Sequence, residues 1–264
     1  MDTKTWLRRG KSGAPTVRVA MAIAGLYAQG SDPLGEMRRD AGDHFESLFH
    51  GFPLTPIRPI ILQYDFTNAY KVNATNVWNA TAVGTGTVLT AQAGRGGFAK
   101  FVNGASDNDA YDYQAKYAQA TLAAAKGTWF ITEVMIKTVA KADIFVGLCA
   151  PIASGNIFDN RLNSIGFYTD SGGVAPGVLW CETTLAGVLT RQNTGVTLAD
   201  GVKVELGFCV VGVTSVFFFV NNVYKKVSSS NMPIVDLAVS FGCRNGEAAA
   251  NEMTIYPIQV GMDR

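Results

Sequence analysis

The chain has 264 residues, which is enough for one large β domain with an extension or for two small domains. Charged residues make up 16% of the chain, against about 25% in typical soluble domains, and the formal net charge is +1. A nearly neutral chain gives no general case for a nucleic-acid binder or a membrane-surface binder. The low charge predicts a surface that is partly covered by partners, although many β proteins also carry few charges.

The N-terminal region differs in composition from the rest, and we interpret residues 1–60 as an anchoring arm and residues 61–264 as the main domain. Residues 1–18 carry five basic residues and one acidic residue. The apolar stretch VAMAIAGLYA that follows, residues 19–28, is too short to span a bilayer and predicts a helix or strand that docks onto a partner. A further helix is predicted within residues 32–52, before a proline-rich connector. The predicted partner contacts of the arm are Arg8, Arg9, Lys11, Val19, Met21, Ile23, Leu26 and Tyr27.

From residue 61 onward the sequence alternates between strand-like runs and turns rich in Gly, Asn and Asp, which favours an antiparallel sandwich or jelly roll. One stretch is ambiguous, because the alanines of YAQATLAAAKG (117–127) favour helix while its position between strands favours an extended segment. The candidate strands are ILQYDFT, TVLTAQ, GFAKFVN, TWFITEVMIKT, DIFVGLCA, NSIGFYTD, GVLWCETT, KVELGFCVVG, the two halves of residues 216–227, VDLAVSFGC and EMTIYPIQVGM.

The stretch SVFFFVNNVYKKV (215–227) predicts a tight hairpin, because two asparagines tolerate the positive φ of a type I′ turn. A two-residue loop pairs Val220 with Val223 and, further out, Val216 with Val227. One face then carries Val216, Phe218, Val220, Val223 and Val227, and the other carries Phe217, Phe219 and Tyr224. Because both faces are apolar, a partner or another segment of the same chain should cover the second face.

The sequence contains no recognisable motif for a catalytic, cofactor-binding or metal site. His44 and His50 stand six residues apart, whereas helical metal pairs usually stand four apart. Glycoside cleavage is the strongest enzymatic alternative, with Glu133 and Glu182 as the carboxylates to consider, although neither belongs to an acidic pair on one strand. Cys149, Cys181, Cys209 and Cys243 each lie alone in an apolar run and are predicted to be buried free thiols, as in a reducing cytoplasm. Aromatic residues that could stack on sugars, or fill the core, are Trp78, Trp129, Tyr168 and Trp180.

Three segments carry a resemblance to a known fold family. The stretch ADGVKVELGFCVVGVTSVFFFVNNVYKKVSSSNMP resembles the late strands of concanavalin A-like or laminin G-like jelly rolls. TWFITEVMIKT with ADIFVGLCAP resembles an earlier strand pair of that family, and EMTIYPIQVGMDR resembles its closing strand. The resemblance covers residues 62–264 and implies an all-β antiparallel jelly-roll sandwich with an extended, partly helical N-terminal arm. The calcium- and manganese-binding loop of the family's lectins is not recognisable, so the resemblance implies no site residues.

This alternation of short strands and turns, together with a basic and apolar N-terminal extension, is similar to bacteriophage virion proteins of the capsid-decoration or fibre type. We therefore predict a non-enzymatic virion structural protein, a capsid decoration or cement protein at the capsid surface, made in the host cytoplasm. The expected partners are the major capsid protein or other virion subunits, in a homo-oligomer with a trimer favoured, and neither a specific nucleic acid nor a membrane. Phe217, Phe219 and Tyr224 complete the predicted interface. The alternative is a tail-fibre or receptor-binding, lectin-like module that binds a glycan.

Overall fold

The computed structural model describes residues 60–64, 66, 77–92, 97–124, 126–172 and 176–262. Within them lie seventeen strands, a short helix and a 3₁₀ turn at Val139–Lys141. The elements are β1 (Ile60–Tyr64), β2 (Trp78–Val83), β3 (Gly86–Gln92), β4 (Phe98–Asn103), β5 (Ala110–Ala115), β6 (Ala120–Thr121), β7 (Gly127–Ile136), β8 (Ala142–Cys149), α1 (Ile157–Asn160), β9 (Ser164–Tyr168), β10 (Val178–Leu185), β11 (Val188–Thr197), β12 (Val204–Val211), β13 (Ser215–Val220), β14 (Val223–Ser228), β15 (Asp236–Asn245), β16 (Glu252–Ile255) and β17 (Ile258–Met262).

The strands form two antiparallel sheets that face each other. Sheet 1 has the order β14-β13-β12-β7-β16-β4-β3, and β17 pairs with both β7 and β1 at its side. Sheet 2 has the order β11-β10-β9-β8-β15-β5-β2, with β6 paired to β15. Every pairing is antiparallel, which confirms the predicted all-β sandwich.

The core lies between the inner faces of the two sheets and is rich in aromatic rings. Trp78 and Phe241 meet edge to face at 5.1 Å, and Phe101 and Tyr113 pack beside them. On the other side of the core, Phe130 stacks on its neighbour Phe208 at 5.0 Å. Alternate residues of each strand supply this core, so the remaining residues of each strand lie on the outer faces of the sandwich.

Most of the predicted strands are present, and three strands were missed. The missed strands are β2, β5 and β11, whose sequences WNATAV, AYDYQA and VLTRQNTGVT carry many polar residues. β2 and β11 are edge strands of sheet 2, where polar side chains meet solvent, so they lack a continuous apolar run. The described residues of the ambiguous stretch 117–127 contain no helix, and the stretch carries β6 at Ala120–Thr121, which pairs with β15.

The hairpin of β13 and β14 confirms the predicted turn and corrects the predicted register. Asn221 and Asn222 have φ of 50° and 59°, and Val220 pairs with Val223 as predicted. A β-bulge at Lys225 then shifts the pairing by one residue, so Val227 lies opposite Phe217. Val227 is therefore on the outer face and 40% exposed, not on the core face where it was predicted.

Candidate functional site

The outer face of sheet 2 carries three of the four buried charged side chains of the described residues, namely Asp112, Asp143 and Glu182. Three glycines, Gly147, Gly166 and Gly242, lie on neighbouring strands in the middle of this face. A Cβ added at Gly147 or Gly166 would overlap a main-chain carbonyl of the adjacent strand. The glycines therefore leave a shallow floor on which other groups lie close to the backbone.

Residues 150–163, which we call the strap, cross this floor between β8 and β9. Gln114 donates from Nε2 to the carbonyl of Ala150 (3.1 Å) and accepts from the amide of Ile152 (2.8 Å). The amide of Ile157 donates to Asp112 Oδ2 (3.0 Å). Within the strap, Asn156 caps α1 by accepting from two amides of the helix. The strap is thus held by side chains of β5 and lies against the sheet.

An apolar cluster lies between the strap and the outer face of sheet 2. Ile157 and Phe158 pack against side chains of β8 and β9, and Ile157 is 1% exposed. Burying two such side chains contributes about 1.5–3 kcal/mol each, so the strap is a stably packed part of the domain. The β-strand partners in this cluster are Ala110, Phe145, Cys149 and Tyr168.

A buried ion cluster lies beside the strap and consists of Arg161, Glu182 and Arg191. Glu182 accepts from Arg161 Nε at 2.6 Å and from Arg191 Nη2 at 3.1 Å, and its side chain is fully buried. Arg161 also donates to the last carbonyls of α1, and both guanidinium groups pack on the ring of Tyr168, at 4.6 and 4.2 Å. Burial alone would lower the pKa of Arg161, but the charge of Glu182 and a hydrogen bond to it raise that pKa overall.

A second group of charges, which we call the acidic rim, contains Asp143, Asp159 and Asp170. Arg244 donates to Asp143 Oδ2 at 2.7 Å and to Asp159 Oδ1 at 3.1 Å. The amide and hydroxyl of Ser171, next to Asp170, donate to the other oxygen of Asp143. The side chains of Asp159 and Asp170 are 60% and 42% exposed, so two carboxylates of the rim are accessible to a ligand.

Asp112 is the described carboxyl group with the largest upward change in pKa. It is 2% exposed, and burial raises its pKa to about 7, against the opposing effect of the hydrogen bond from Ile157. Near neutral pH the group is therefore partly protonated.

An open patch adjoins the ion cluster at the β10 and β11 edge of the same face, and consists of Trp180, Asn193, Arg191 and Asp170. Trp180 lies opposite Asn193 on β11 and Tyr168 on β9. Trp180 is half-buried, Asn193 is exposed, and Arg191 lies within 4.0 Å of Asp170. The patch thus combines an aromatic side chain with an amide, a guanidinium and a carboxylate.

The structure separates the residues that the sequence analysis considered together. Glu133 is on the outer face of sheet 1 and Glu182 on that of sheet 2, so they cannot form a catalytic pair. Trp78 is in the core, and Trp180 and Tyr168 share the outer face of sheet 2. The four cysteines are buried free thiols, as predicted.

The predicted partner interface is only partly within the described residues. Phe217, Phe219 and Tyr224 share the outer face of sheet 1, as predicted, where they cluster with Cys209. The contact with a partner itself stays a prediction. The arm residues Arg8, Arg9, Lys11, Val19, Met21, Ile23, Leu26 and Tyr27 lie outside the described residues.

No helix within the described residues is both long and apolar enough to cross a membrane. In the same residues, no three His, Cys, Asp or Glu side chains are grouped so that they could hold a metal ion.

No family model matches the chain, and neither does any curated protein. Solved structures do match in fold. An endo-1,3-β-glucanase from Streptomyces sioyaensis has a TM-score of 0.55 at 9% identity, over 80% of this chain and 98% of the glucanase. The carbohydrate recognition domain of Emp47p has a TM-score of 0.52 at 13% identity, over 75% of this chain and 93% of that domain.

The chain has the concanavalin A-like jelly-roll fold. A third structure with this fold, from work on endo-acting O-glycanases of human gut microbiota, has a TM-score of 0.53 at 10% identity, over 75% of this chain and 97% of that one. None of the three is described as a virion protein, so the virion role stays a prediction.

The prediction of a non-enzymatic protein is contradicted, because concanavalin A-like neighbours include a glucanase and structures from work on O-glycanases. That prediction relied on the lack of an acidic pair along one strand. In this jelly roll, carboxylates that share a face come from different strands, as Asp112, Asp143 and Glu182 do. Sequence spacing is therefore not a valid test for catalytic carboxylates in this fold.

Proposed function

We propose that the protein binds carbohydrate at the open patch of sheet 2. The observation that carries this proposal is the half-buried Trp180, flanked by the polar side chains of Asn193, Arg191 and Asp170. An indole presents an apolar surface on which the C–H groups of a sugar ring can stack. The amide, guanidinium and carboxylate supply donors and acceptors for sugar hydroxyls. The neighbours that bind or cleave carbohydrate support the proposal at the level of fold.

The ion cluster fixes the position of Arg191 in the open patch. Arg191 is held on one side by Glu182 and on the other by the ring of Tyr168. Its guanidinium is therefore oriented before a ligand arrives, which lowers the entropic cost of binding. The strap covers the middle of the face through its contacts with β5, β8 and β9, and the open patch lies beside it at the β10 and β11 edge.

Replacing Trp180 with alanine should weaken glycan binding at least tenfold, or about 1.4 kcal/mol, because the stacking surface is lost. The measurement is a glycan array followed by calorimetry, with laminarin and mucin O-glycans among the probes. The matched control is Tyr117→Ala, an aromatic side chain outside the patch that is 78% exposed. Undiminished binding by the Trp180 variant, or no glycan bound by the wild-type protein, would contradict the proposal.

Glycoside hydrolysis is a second candidate function, favoured by the two exposed carboxylates of the acidic rim. This reaction uses one carboxyl group to protonate the leaving oxygen and a second to activate water or attack the sugar. Asp159 and Asp170 are linked through Asp143, Arg244 and Ser171 at the edge that adjoins the open patch. The rim therefore places two exposed carboxylates on the same face of sheet 2 as the open patch.

If the rim is catalytic, Asp159→Asn and Asp170→Asn should each reduce the release of reducing ends at least a hundredfold, because each removes one of two required carboxyl groups. The measurement is a reducing-end assay on whichever glycan the wild-type protein binds. Asp107→Asn, at an exposed carboxylate of the loop between β4 and β5, is the control and should have full activity. Glycan binding without any release of reducing ends would eliminate hydrolysis and leave the binding proposal intact.

A further inference from the structure

Arg161 connects the strap to the open patch, although it is not one of the residues that form the patch. Its Nη1 donates to the carbonyl oxygens of Ile157 and Phe158 in α1, at 3.2 and 2.9 Å. Its Nε donates to Glu182 Oε1 at 2.6 Å, and its Nη2 donates to Glu182 Oε2 at 3.4 Å. Arg161 therefore uses all three guanidinium nitrogens, and it holds both oxygens of the carboxylate.

This pairing leaves Arg191 a single oxygen of Glu182. Nε and Nη2 of Arg191 both donate to Oε2, at 3.3 and 3.1 Å. No described residue accepts a hydrogen bond from its Nη1, which lies 4.0 Å from Asp170 Oδ2, beyond hydrogen-bond distance. Nη1 is therefore the part of Arg191 that can donate to a sugar hydroxyl in the open patch.

The direction of Nη1 depends on which oxygen of Glu182 is free. A guanidinium and a carboxylate prefer two parallel hydrogen bonds, one to each oxygen. Arg191 cannot form that arrangement while Arg161 occupies Oε1. Without Arg161, rotation of the carboxylate would give both oxygens to Arg191 and reorient its guanidinium relative to the open patch.

The position of Arg161 depends in turn on the docking of the strap. The two ends of the strap meet where the amide of Ala150 donates to the carbonyl of Asn163 at 2.9 Å. Between its ends the strap pairs with no strand of either sheet, and side chains such as Gln114 and Asp112 hold it in place. The strap can therefore undock as a unit, in a minor state, while the strands retain their pairing.

We propose that Arg161 is a positioning residue of the open patch, which fixes Arg191 through Glu182 and so couples strap docking to glycan binding. This inference rests on the proposed function, because it concerns the same site, and Arg161 itself does not contact the glycan. A glycan that uses Nη1 of Arg191 binds the docked form more tightly than the undocked form. By thermodynamic linkage, the bound glycan stabilises the docked strap to the same extent.

The first test is Arg161→Met. Glu182 stays paired with Arg191 in this variant, so no buried charge is left without a partner. The affinity for laminarin or mucin O-glycans, measured by calorimetry, should fall at least tenfold. In an Arg191→Met background the same substitution should have no further effect, because the residue through which it acts is absent. Wild-type affinity in the single variant, or additive losses in the double variant, would overturn the proposal.

Three native thiols report separately on the strap and on the core. Cys149 packs against Ile157 and Phe158 of the strap on the outer face of sheet 2, so a thiol reagent reaches it once the strap undocks. Cys181 and Cys243 lie in the core between the sheets and react only when the domain unfolds. Labelling followed by peptide mass spectrometry gives the rate at each cysteine.

The second test measures the coupling from the side of the strap. A saturating concentration of the bound glycan should slow the labelling of Cys149 at least tenfold in the wild type. Arg161→Met should abolish this slowing while Cys181 and Cys243 remain protected. An unchanged Cys149 rate in the wild type, or the same slowing in the variant, would contradict the coupling.

The matched control is Asn156→Ala, which loosens the strap without contacting the ion cluster. Asn156 caps α1, so its replacement should raise the labelling rate of Cys149 severalfold. The docked form still predominates, so the glycan affinity should equal that of the wild type. If Asn156→Ala instead lost as much affinity as Arg161→Met, the order of the strap alone would matter, and the positioning role would be wrong.

The proposed function and the positioning role fail in different ways. If the wild-type protein bound no glycan, both would be overturned. If the wild type bound a glycan and Arg161→Met bound it equally well, only the positioning role would be overturned, and carbohydrate binding at the open patch would stand.

Discussion

Replacing Glu182 with alanine is expected to lower the free energy of unfolding by about 3–5 kcal/mol, because the variant leaves two arginines without their shared carboxylate. Glu182 is fully buried, and the side chains of Arg161 and Arg191 are only 11% and 24% exposed. Neither guanidinium can regain full hydration while the strap is in place. The measurement is urea unfolding at neutral pH, with the midpoint and the slope determined separately.

The matched control is Glu133→Ala on sheet 1. Glu133 also pairs with a basic side chain, at 2.8 Å from Lys203 Nζ, but both side chains are more than a third exposed. Removing such a pair should cost less than about 1 kcal/mol. Combining Glu182→Ala with Arg161→Met should recover part of the lost stability, because it removes one unpaired buried charge. If Glu182→Ala and Glu133→Ala lowered the free energy of unfolding equally, the ion cluster would be hydrated, in contradiction to its burial in the structure.

The fold was largely predictable because the core strands of this protein carry strong local signals. β8 and β12 read as short apolar runs, and the two asparagines of the β13–β14 hairpin specify its turn. The bulge at Lys225 was not predictable, because it changes which residues face the core without any change in local composition. β11 was missed because an edge strand that meets solvent has no need for a continuous apolar run.

The candidate site was far less predictable than the fold. Glu182 and Trp180 were both considered, but the arginines that hold Glu182 are 21 residues before it and 9 residues after it. No local pattern connects three residues that are brought together by a strap and two neighbouring strands. The one available signal was the alternation in GVLWCETT, which places Trp180 and Glu182 on the same face of one strand. Combined with the pairing of β10 and β11, that alternation leads to Arg191 and Asn193.

The free energy of unfolding is expected to fall as the pH rises from about 4 to 8. The ionisation of Asp112 alone accounts for a fall of up to about 4 kcal/mol. The pKa of Asp112 is raised to about 7 in the folded protein from an ordinary value of 3.8. Between these two values the unfolded chain releases a proton that the folded chain retains, so increasing pH favours unfolding. Below about pH 4 both states are protonated, and above about pH 8 both are ionised. The difference of about 3 pKa units, at about 1.36 kcal/mol each, gives the size of the change.

Asp112→Asn should remove this pH dependence and make the protein more stable than the wild type at pH 8. Asparagine retains an oxygen that can accept from the amide of Ile157, so the strap contact is preserved while the buried charge is eliminated. Urea unfolding at half-unit pH intervals measures the effect, and Asp107→Asn, at an exposed carboxylate, should follow the wild-type curve. If the Asp112→Asn variant instead tracks the wild type at every pH, the carboxyl group must already be ionised in the folded state. The strap would then be docked over a charge, and its docking should be sensitive to replacement of Arg161 on the strap or Arg244 on β15.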